Sequence, residues 1–263
     1  MFDPERPSVF HHTHKPKTRS PQTPFQPQTH KRQFTNNTLN QHKQKKKQKN
    51  SANFLFSKKK VVPLHHIVYV AIVKYNAGNI CSVKNALTRC GIEPLLTDDP
   101  ELLMKADKVI FPGQGEAQST MQYLREHKLD EVIKSLQQPV LGICIGMQLM
   151  CQHSEEQDTD CLGIFDTNVL RFRPTKSEEK VPQMGWNTIN NTTSELFKGF
   201  DKPEFVYFVH SFYVPTCEHT IATTDYILPY SAALHKDNFY ATQFHPEKSG
   251  PVGERILKNF LEL

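Results

Sequence analysis

The chain contains 263 residues, of which 32 are Lys or Arg and 27 are Asp or Glu, so its net charge is +5. The charge is unevenly distributed, because residues 1–60 hold 14 basic and 2 acidic residues (about +12) and the remainder holds 18 basic and 25 acidic residues (about −7). No apolar run approaches the roughly 18 residues of a membrane span, and the acidic body does not favour nucleic acid as a partner.

The cysteines point to a reducing environment. All six lie after residue 80, and no two have CxxC spacing, so neither a zinc site nor a redox pair is indicated. The N-terminus lacks the apolar segment of a secretory signal. Disulfide-scaffold and collagen-like classes are therefore excluded, and we expect a cytoplasmic protein that needs no metal or other cofactor.

Residues 1–62 are predicted to form a disordered basic tail, because they are rich in Gln, Lys, Asn and Pro and contain few apolar residues. The tail could be a solvated extension without function, or an arm that binds polyanions or directs targeting. A transit peptide is less favoured, since such peptides prefer Arg and Ser. Another hypothesis is that translation starts at a non-methionine codon between residues 55 and 68, so that the tail is not made. No methionine lies between Met1 and Met104, although the domain is expected to begin near Ile67.

Residues 63–263 are predicted to form one α/β domain with a mostly parallel sheet flanked by helices. A buried strand is expected at Ile67–Val73, followed by a turn at Asn76–Asn79 and a helix that ends at Gly91. Further strands are predicted at 93–96, 108–111 and 140–143, and helix at 117–137. The second half is predicted to be rich in strands, at 205–213, 220–224 and 239–244. A final helix would carry the apolar stripe Val252, Ile256, Leu257, Phe260 and Leu261.

The sharpest local signal is Gly142-Ile143-Cys144-Ile145-Gly146, where a buried strand runs directly into a helix. Such a corner presents a nucleophile in a strained, exposed conformation, and glycines flank it because side chains would collide there. The helix N-terminus also stabilises negative charge and offers free N–H groups. The alternative is a buried core cysteine in a glycine-rich turn.

Two further motifs follow predicted strands. Gln243-Phe244-His245-Pro246-Glu247 offers an imidazole and, two residues later in an extended segment, a carboxylate that would orient it. Pro112-Gly113-Gln114-Gly115 offers a turn whose main chain can approach a ligand closely. Alone, the first motif could be a surface His–Glu contact and the second an ordinary turn. Together with Cys144, at strand ends where open α/β sheets bind ligands, they favour a Cys–His–Glu acyl-transfer site.

These residues resemble the class I (triad) glutamine amidotransferases, and within them the glutaminase subunits of imidazole glycerol phosphate synthase. The likeness runs from about Val68 to Leu263. The segments that favour this subunit are Tyr75-Asn76-Ala77-Gly78-Asn79, Gly146-Met147-Gln148-Leu149, Met184-Gly185-Trp186-Asn187, Tyr207-Phe208-Val209-His210-Ser211 and His245-Pro246-Glu247-Lys248-Ser249-Gly250.

The resemblance implies that Cys144 attacks the side-chain amide of glutamine, that His245 carries the proton and that Glu247 orients His245. Main-chain groups at Ile145 and Gln114 would form the oxyanion hole, and Glu156 would bind the α-amino group of glutamine. The implied substrate-binding set is Gly113, Gln114, Gly115, Ile145, Gln148, Glu156, His210, Ser211 and Phe212.

The resemblance also implies a heterodimer with a (β/α)8-barrel cyclase, which would use the ammonia to make imidazole glycerol phosphate and an aminoimidazole carboxamide ribotide. Asn79, Ser82 and Trp186 map to the docking face; for Trp186 the alternative is core packing. One departure is Gln114, where the family has a small aliphatic residue, and we hypothesise that it alters the resting oxyanion turn.

Other functions remain open from the sequence. A sister glutaminase, of the anthranilate, GMP or CTP synthase type, shares the cysteine corner and the His-x-Glu motif. A catalytically inactive binding module with the tail as its active part is less favoured, because Cys144, His245 and Glu247 are all present. A cysteine hydrolase that releases small amides would fit the triad but not Trp186-Asn187.

Overall fold

The computed structural model describes residues 68–75 and 80–263. The predicted tail, Ile67 and the predicted turn Asn76–Asn79 lie outside these residues. The helices are α1 Ile80–Arg89, α2 Pro100–Lys105, α3 Ala117–Glu126, α4 Leu129–Ser135, α5 Ile145–Leu149 and α6 Gly250–Glu262. The strands are β1 Val70–Val73, β2 Leu95–Thr97, β3 Lys108–Phe111, β4 Val140–Ile143, β5 His153–Ser154, β6 Thr159–Asp160, β7 Asn168–Arg171, β8 Gln183–Ile189, β9 Glu204–His210, β10 Phe212–Tyr213, β11 Thr220–Asp225, β12 Pro229–Lys236 and β13 Phe239–Thr242.

The central sheet has seven strands in the order β11-β12-β13-β4-β3-β1-β2. The pairings from β13 to β2 are all parallel, and only β11·β12 and β12·β13 are antiparallel. The predicted α/β fold with a mostly parallel sheet is therefore confirmed.

The two faces of the sheet are covered by different parts of the core. Ala71 and Val73 of β1 pack into one apolar cluster, with α3 and α4, whereas Val70 and Ile72 pack into the other, with α1 and α6. Because successive side chains of a strand point to opposite faces, a strand covered on both sides needs a continuous apolar run. This is the pattern that the sequence shows.

The helices of the first half match the periodicity with two differences. The predicted helix at 117–137 is divided into α3 and α4, because the chain turns at Lys128, which has a left-handed φ of 55°. The short helix α2 was not predicted, although Asp99 caps it by accepting hydrogen bonds from the N–H groups of Glu101 and Leu102. The predicted end of α1 is confirmed, since Gly91 follows it with a φ of +84°.

The second half is rich in strands, as predicted, and its smaller sheets stand beside the central one. Strands β10, β7, β5 and β6 form a four-stranded sheet, and β8 and β9 form an antiparallel two-stranded ribbon. The predicted strand at 205–213 is interrupted at Ser211 and continues as β10. The predicted apolar stripe of the last helix faces the core, with Ile256, Leu257 and Phe260 buried.

The parallel order brings the predicted functional segments together. His245 follows β13, Cys144 follows β4 and the turn Pro112–Gly115 follows β3, and these three strands are neighbours. Because they are parallel, their carboxyl ends share one edge of the sheet.

Candidate active site

Cys144 occupies the corner between β4 and α5. Its backbone has φ 54° and ψ −107°, a conformation that residues with a Cβ rarely adopt. A Cβ on Gly146 would lie 2.1 Å from the carbonyl oxygen of Phe111, and one on Gly142 would lie 2.9 Å from the sulfur of Met150. The predicted strained corner, with glycines on both sides because nothing larger fits, is therefore present, but the predicted exposure is wrong, since Cys144 is buried.

His245 and Glu247 form a buried pair beside this corner. Nδ1 of His245 lies 2.8 Å from Oε1 of Glu247, and each side chain is 1% exposed. The contact is as predicted, but the predicted extended geometry is wrong: Pro246–Lys248 forms a 3-10 turn that begins at the proline. The main chain of His245 is tied to β9, because its N–H donates to the carbonyl of Tyr207.

The surroundings of His245 favour its charged form. Burial opposes the imidazolium, but the nearby Cys144 sulfur and the Glu247 carboxylate outweigh burial and raise the pKa of His245 to about 10. Nε2, the ring nitrogen that does not contact Glu247, is buried without a hydrogen-bond partner among the described residues. The imidazole can therefore be protonated, with Nδ1 held by Glu247 and Nε2 available to a reacting group.

Hydrogen-bonding groups from two further segments approach the sulfur of Cys144. The Sγ atom lies 3.8 Å from the carbonyl oxygen of Val209 in β9, and the side-chain amide nitrogen of Gln243 lies 3.7 Å from Sγ. Cys144 is only 8% exposed, so these groups act with little competition from water. Sequence reasoning did not assign a role to Gln243, although it stands two residues before His245 in the same motif.

A cavity of about 290 Å³ opens onto the sulfur. Its volume is close to the lower end of the range typical of small-molecule sites, roughly 300–1,000 Å³. Its lining residues are Gln114, Gly115, Cys144, Ile145, Gln148, Glu156, Pro182, Val209, His210, Ser211 and Phe212. All of the predicted substrate-binding residues except Gly113 are in this set. Pro182 and Val209 were not predicted, because the β8–β9 pairing that places them there is not visible in the sequence.

The turn that contains Gly113 packs tightly against the start of α5. A Cβ on Gly113 would lie 1.8 Å from Cγ2 of Ile145 and 2.6 Å from the hydroxyl oxygen of Tyr75. That hydroxyl donates a hydrogen bond to the carbonyl of Pro112. The turn and the helix N-terminus are thus held together beside Cys144.

Two polar side chains of the cavity have defined partners. Gln148 lies one helical turn after Cys144 on the same side, as predicted, and its Nε2 donates to the carbonyl of Phe212 (3.0 Å) and to Oε1 of Gln243 (2.9 Å). Oε2 of Glu156 accepts from the N–H of Ala117 at 2.8 Å. Burial raises the pKa of Glu156, and this hydrogen bond acts in the opposite direction.

His210 contrasts with His245. Its Nδ1 lies 2.6 Å from the carbonyl oxygen of Phe212 and its Nε2 lies 3.0 Å from the hydroxyl of Tyr230. Burial lowers the pKa of His210 to about 4, with the hydrogen bond to Phe212 acting against this and His245 adding to it. His210 is therefore neutral at pH 7, with the proton on Nδ1.

The predicted docking residues lie in different elements. Trp186 lies on the outer face of the β8–β9 ribbon and is 57% exposed, so the alternative of core packing is wrong. Met184 and Phe205 are exposed on the same ribbon, at 66% and 60%. Ser82 is half-buried in α1, and Asn79 lies outside the described residues.

Membrane-spanning helices and clusters of metal ligands are both absent from residues 68–75 and 80–263. No helix there is both long and apolar enough to cross a membrane. No group of three or more His, Cys, Asp or Glu side chains there could hold a metal ion.

Comparisons with known proteins show the class of enzyme to which the chain belongs. Residues 71–263 match the family model described as glutamine amidotransferase class-I. A crystal structure of a glutamine amidotransferase superposes with a TM-score of 0.57 at 20% identity, over 73% of this chain and 97% of that chain. A glutamine amidotransferase from Thermotoga maritima gives a TM-score of 0.51 at 19% identity, over 75% and 82%. At such identities the structures support the fold alone.

Proteins of higher sequence identity show the family within this class. The imidazole glycerol phosphate synthase subunit HisH of Bacteroides fragilis is 69% identical over 194 residues, which cover 74% of this chain and 99% of that protein. The protein of that name in Escherichia coli K12 is 45% identical over 196 residues, with the same coverage. The chain therefore belongs to the class I glutamine amidotransferases and, within them, to the family of imidazole glycerol phosphate synthase subunit HisH. Sister amidotransferases are not favoured by these relatives.

The corner at Cys144 makes a steric prediction. Gly146→Ala should lower the free energy of unfolding by about 2 kcal/mol or more, because the new Cβ overlaps a main-chain oxygen and the backbone must shift. Gly115→Ala is the matched control: its Cβ would meet only Thr120 Oγ1, at 3.4 Å, so a change below about 1 kcal/mol is expected. Urea unfolding followed by circular dichroism measures both, and equal losses would contradict the steric account.

The buried neutral His210 makes a pH prediction. Its pKa of about 4 lies below the value of 6.5 for an unfolded chain, so the unfolded state binds more protons and stability falls as the pH drops from about 6.5 to 4. The free energy of unfolding of His210→Gln should therefore fall by up to about 3 kcal/mol less than that of the wild type over this pH range. Unfolding measured at pH 4.5 and 7 tests the difference, with His127→Gln, an exposed histidine, as the control. A fall of the same size in His210→Gln would show that another group is responsible.

Proposed function

We propose that this amidotransferase hydrolyses L-glutamine through a triad of Cys144, His245 and Glu247. The observation that carries the proposal is the buried His245–Glu247 pair, 2.8 Å apart, next to a cysteine at a strained strand-to-helix corner. The Cys144 thiolate attacks the amide carbon, the C–N bond breaks and His245 gives a proton to the departing ammonia. Water then attacks the γ-glutamyl thioester, His245 takes a proton from it and the C–S bond breaks to release glutamate.

The cavity supports a specific pose for glutamine. Glu156 lies in the same cavity as the sulfur, and its carboxylate suits the ammonium of the α-amino group. Oε1 of Gln148 is available to the ligand, since both hydrogen bonds of this side chain come from Nε2. Gly115, His210, Ser211 and Phe212 line the remaining wall. We assign the oxyanion hole to main-chain N–H groups at Ile145 and Gln114, with Gly113 allowing the turn to approach α5.

We further propose that the ammonia passes to a (β/α)8-barrel cyclase subunit in a heterodimer. Ammonia released into water at neutral pH would be protonated and lost as a nucleophile. The exposed apolar face of the β8–β9 ribbon, with Met184, Trp186 and Phe205, fits a protein partner. The same ribbon reaches the cavity through Val209. Asn79 and Ser82 are proposed to extend the interface, and the products would be imidazole glycerol phosphate and an aminoimidazole carboxamide ribotide.

The functional unit that we propose is residues 63–263, with residues 1–62 as an added basic tail. In support, the family match begins at residue 71, and the relatives from Bacteroides and Escherichia align over 194 and 196 residues. We propose the cytoplasm as its location. All six cysteines are free thiols, which fits a reducing compartment.

The nucleophile can be tested apart from the partner reaction. In the complex with the cyclase subunit, Cys144→Ser should lower glutamine-dependent synthesis at least about 1,000-fold, while synthesis from ammonium salts continues. Cys161→Ser, which changes a thiol outside the cavity, is the control and should keep both activities. Loss of both activities in Cys144→Ser would indicate a structural role instead.

The docking face can be tested by binding. Trp186→Ala should weaken the complex with the cyclase subunit by about 30-fold or more, because a large exposed aromatic at an interface commonly contributes 2 kcal/mol or more. Met104→Ala removes a similarly exposed apolar side chain, 53% exposed, on α2 and should leave affinity unchanged. Titration calorimetry compares them, and equal affinities for all three proteins would exclude this face.

A further inference from the structure

We propose that Gln243 is an additional catalytic residue, whose side-chain amide donates an N–H to the sulfur of Cys144 and stabilises it whenever it carries negative charge. The inference rests on the proposed function of Cys144 as the nucleophile. It concerns a side chain directly after β13 that is 0% exposed and lies 3.7 Å from Sγ through Nε2.

The hydrogen-bond network fixes which end of this amide faces the sulfur. The carbonyl of Phe212 can only accept, so Gln148 must present its nitrogen there, at 3.0 Å. The same nitrogen lies 2.9 Å from the Gln243 amide, which must therefore present its oxygen. The nitrogen of Gln243 is left pointing at Cys144. Gln148 thus orients Gln243, and Gln243 meets the reacting atom.

The burial of Gln243 strengthens the effect of its contact with the sulfur. An amide N–H shielded from water is destabilising unless it finds an acceptor. A thiol sulfur is a weak acceptor, whereas a thiolate accepts a charge-assisted hydrogen bond. The contact therefore favours the thiolate before attack.

The same contact acts again later in the reaction. When the thioester is hydrolysed, the C–S bond breaks and its electron pair returns to sulfur, which again becomes the thiolate that the amide stabilises. In the thioester itself the sulfur is neutral and the hydrogen bond is weaker. Gln243 thus complements His245. The imidazole of His245 gains and loses a proton during the reaction, whereas the amide of Gln243 stays protonated and donates a hydrogen bond throughout.

The test is the rate at which iodoacetamide alkylates Cys144 in the full-length chain, followed at pH 7 on the Cys144 peptide by mass spectrometry. Gln243→Met keeps the length of the side chain but has no donor, and we expect alkylation to slow about tenfold or more. Gln183→Met is the matched control, because Gln183 is also buried and bonds with the hydroxyl of Tyr230 rather than with the sulfur. Its rate should stay within about twofold of the wild-type rate.

A second variant covers the case in which Gln243→Met does not fold. Gln148→Met leaves Gln243 in place but removes the group that orients it, and should slow alkylation severalfold. If Gln243→Met folds and is alkylated at the wild-type rate, the assignment is overturned. If Gln243→Met does not fold, a wild-type alkylation rate in Gln148→Met overturns it. Failure of the proposed function would look different, since the wild-type complex would then not hydrolyse glutamine whatever the alkylation rates.

Discussion

The site depends on the parallel pairing of β4 with β13. Ile143 stands opposite Thr242 in this pairing, and the N–H of Cys144 continues it by donating to the carbonyl of Thr242 at 2.7 Å. The corner is thereby fixed to the strand whose next residues carry Gln243 and His245. A shift of one residue in this pairing would displace both side chains relative to the sulfur.

The two buried histidines near the sulfur have pKa values shifted in opposite directions, although burial lowers the pKa of both. His210 faces a hydroxyl and a main-chain carbonyl, neither of which carries a charge, so desolvation lowers its pKa and it stays neutral. His245 faces a carboxylate and a sulfur, and these outweigh the same desolvation and raise its pKa. Only His245 is therefore equipped to exchange a proton. The assignment follows from the neighbours of each ring and not from the depth at which it lies.

Much of the parallel core could be predicted from local sequence. The β-branched run of β1 and the apolar run of β4 show burial on both faces, and the glycines around Cys144 show a corner without space. Functional segments at the ends of parallel strands must then meet at one edge, which is why the cysteine corner, the His-x-Glu motif and the turn at Pro112–Gly115 could be proposed as one site. The substrate-binding set was supplied by the resemblance to a known family, including residues such as Glu156 and Ser211, which carry no local signal.

The rest required contacts between distant parts of the chain. The pairing of β13 with β4 joins residues about 100 positions apart, and no local pattern specifies it. Pro182 and Val209 reach the cavity only because β8 pairs with β9. The 3-10 turn at Pro246 was also missed, because a proline is compatible with an extended chain and with the first position of a turn. The short helix α2 is stabilised by its Asp99 cap and by packing against its neighbours, and not by a long apolar period.

The β8–β9 ribbon joins the cavity to the outer surface through the alternation of a single strand. In β9, His210 faces inward and bonds with Tyr230, whereas Val209 belongs to the outer row with Tyr207 and Phe205. The main-chain carbonyl of Val209 nevertheless approaches the sulfur of Cys144. A partner that binds the outer face of the ribbon would therefore contact β9. This strand supplies both the carbonyl of Val209 and the side chain of His210 to the cavity. The cavity proposed to form ammonia and the surface proposed to bind the partner thus lie on opposite sides of β9, so a displacement of this strand would alter both.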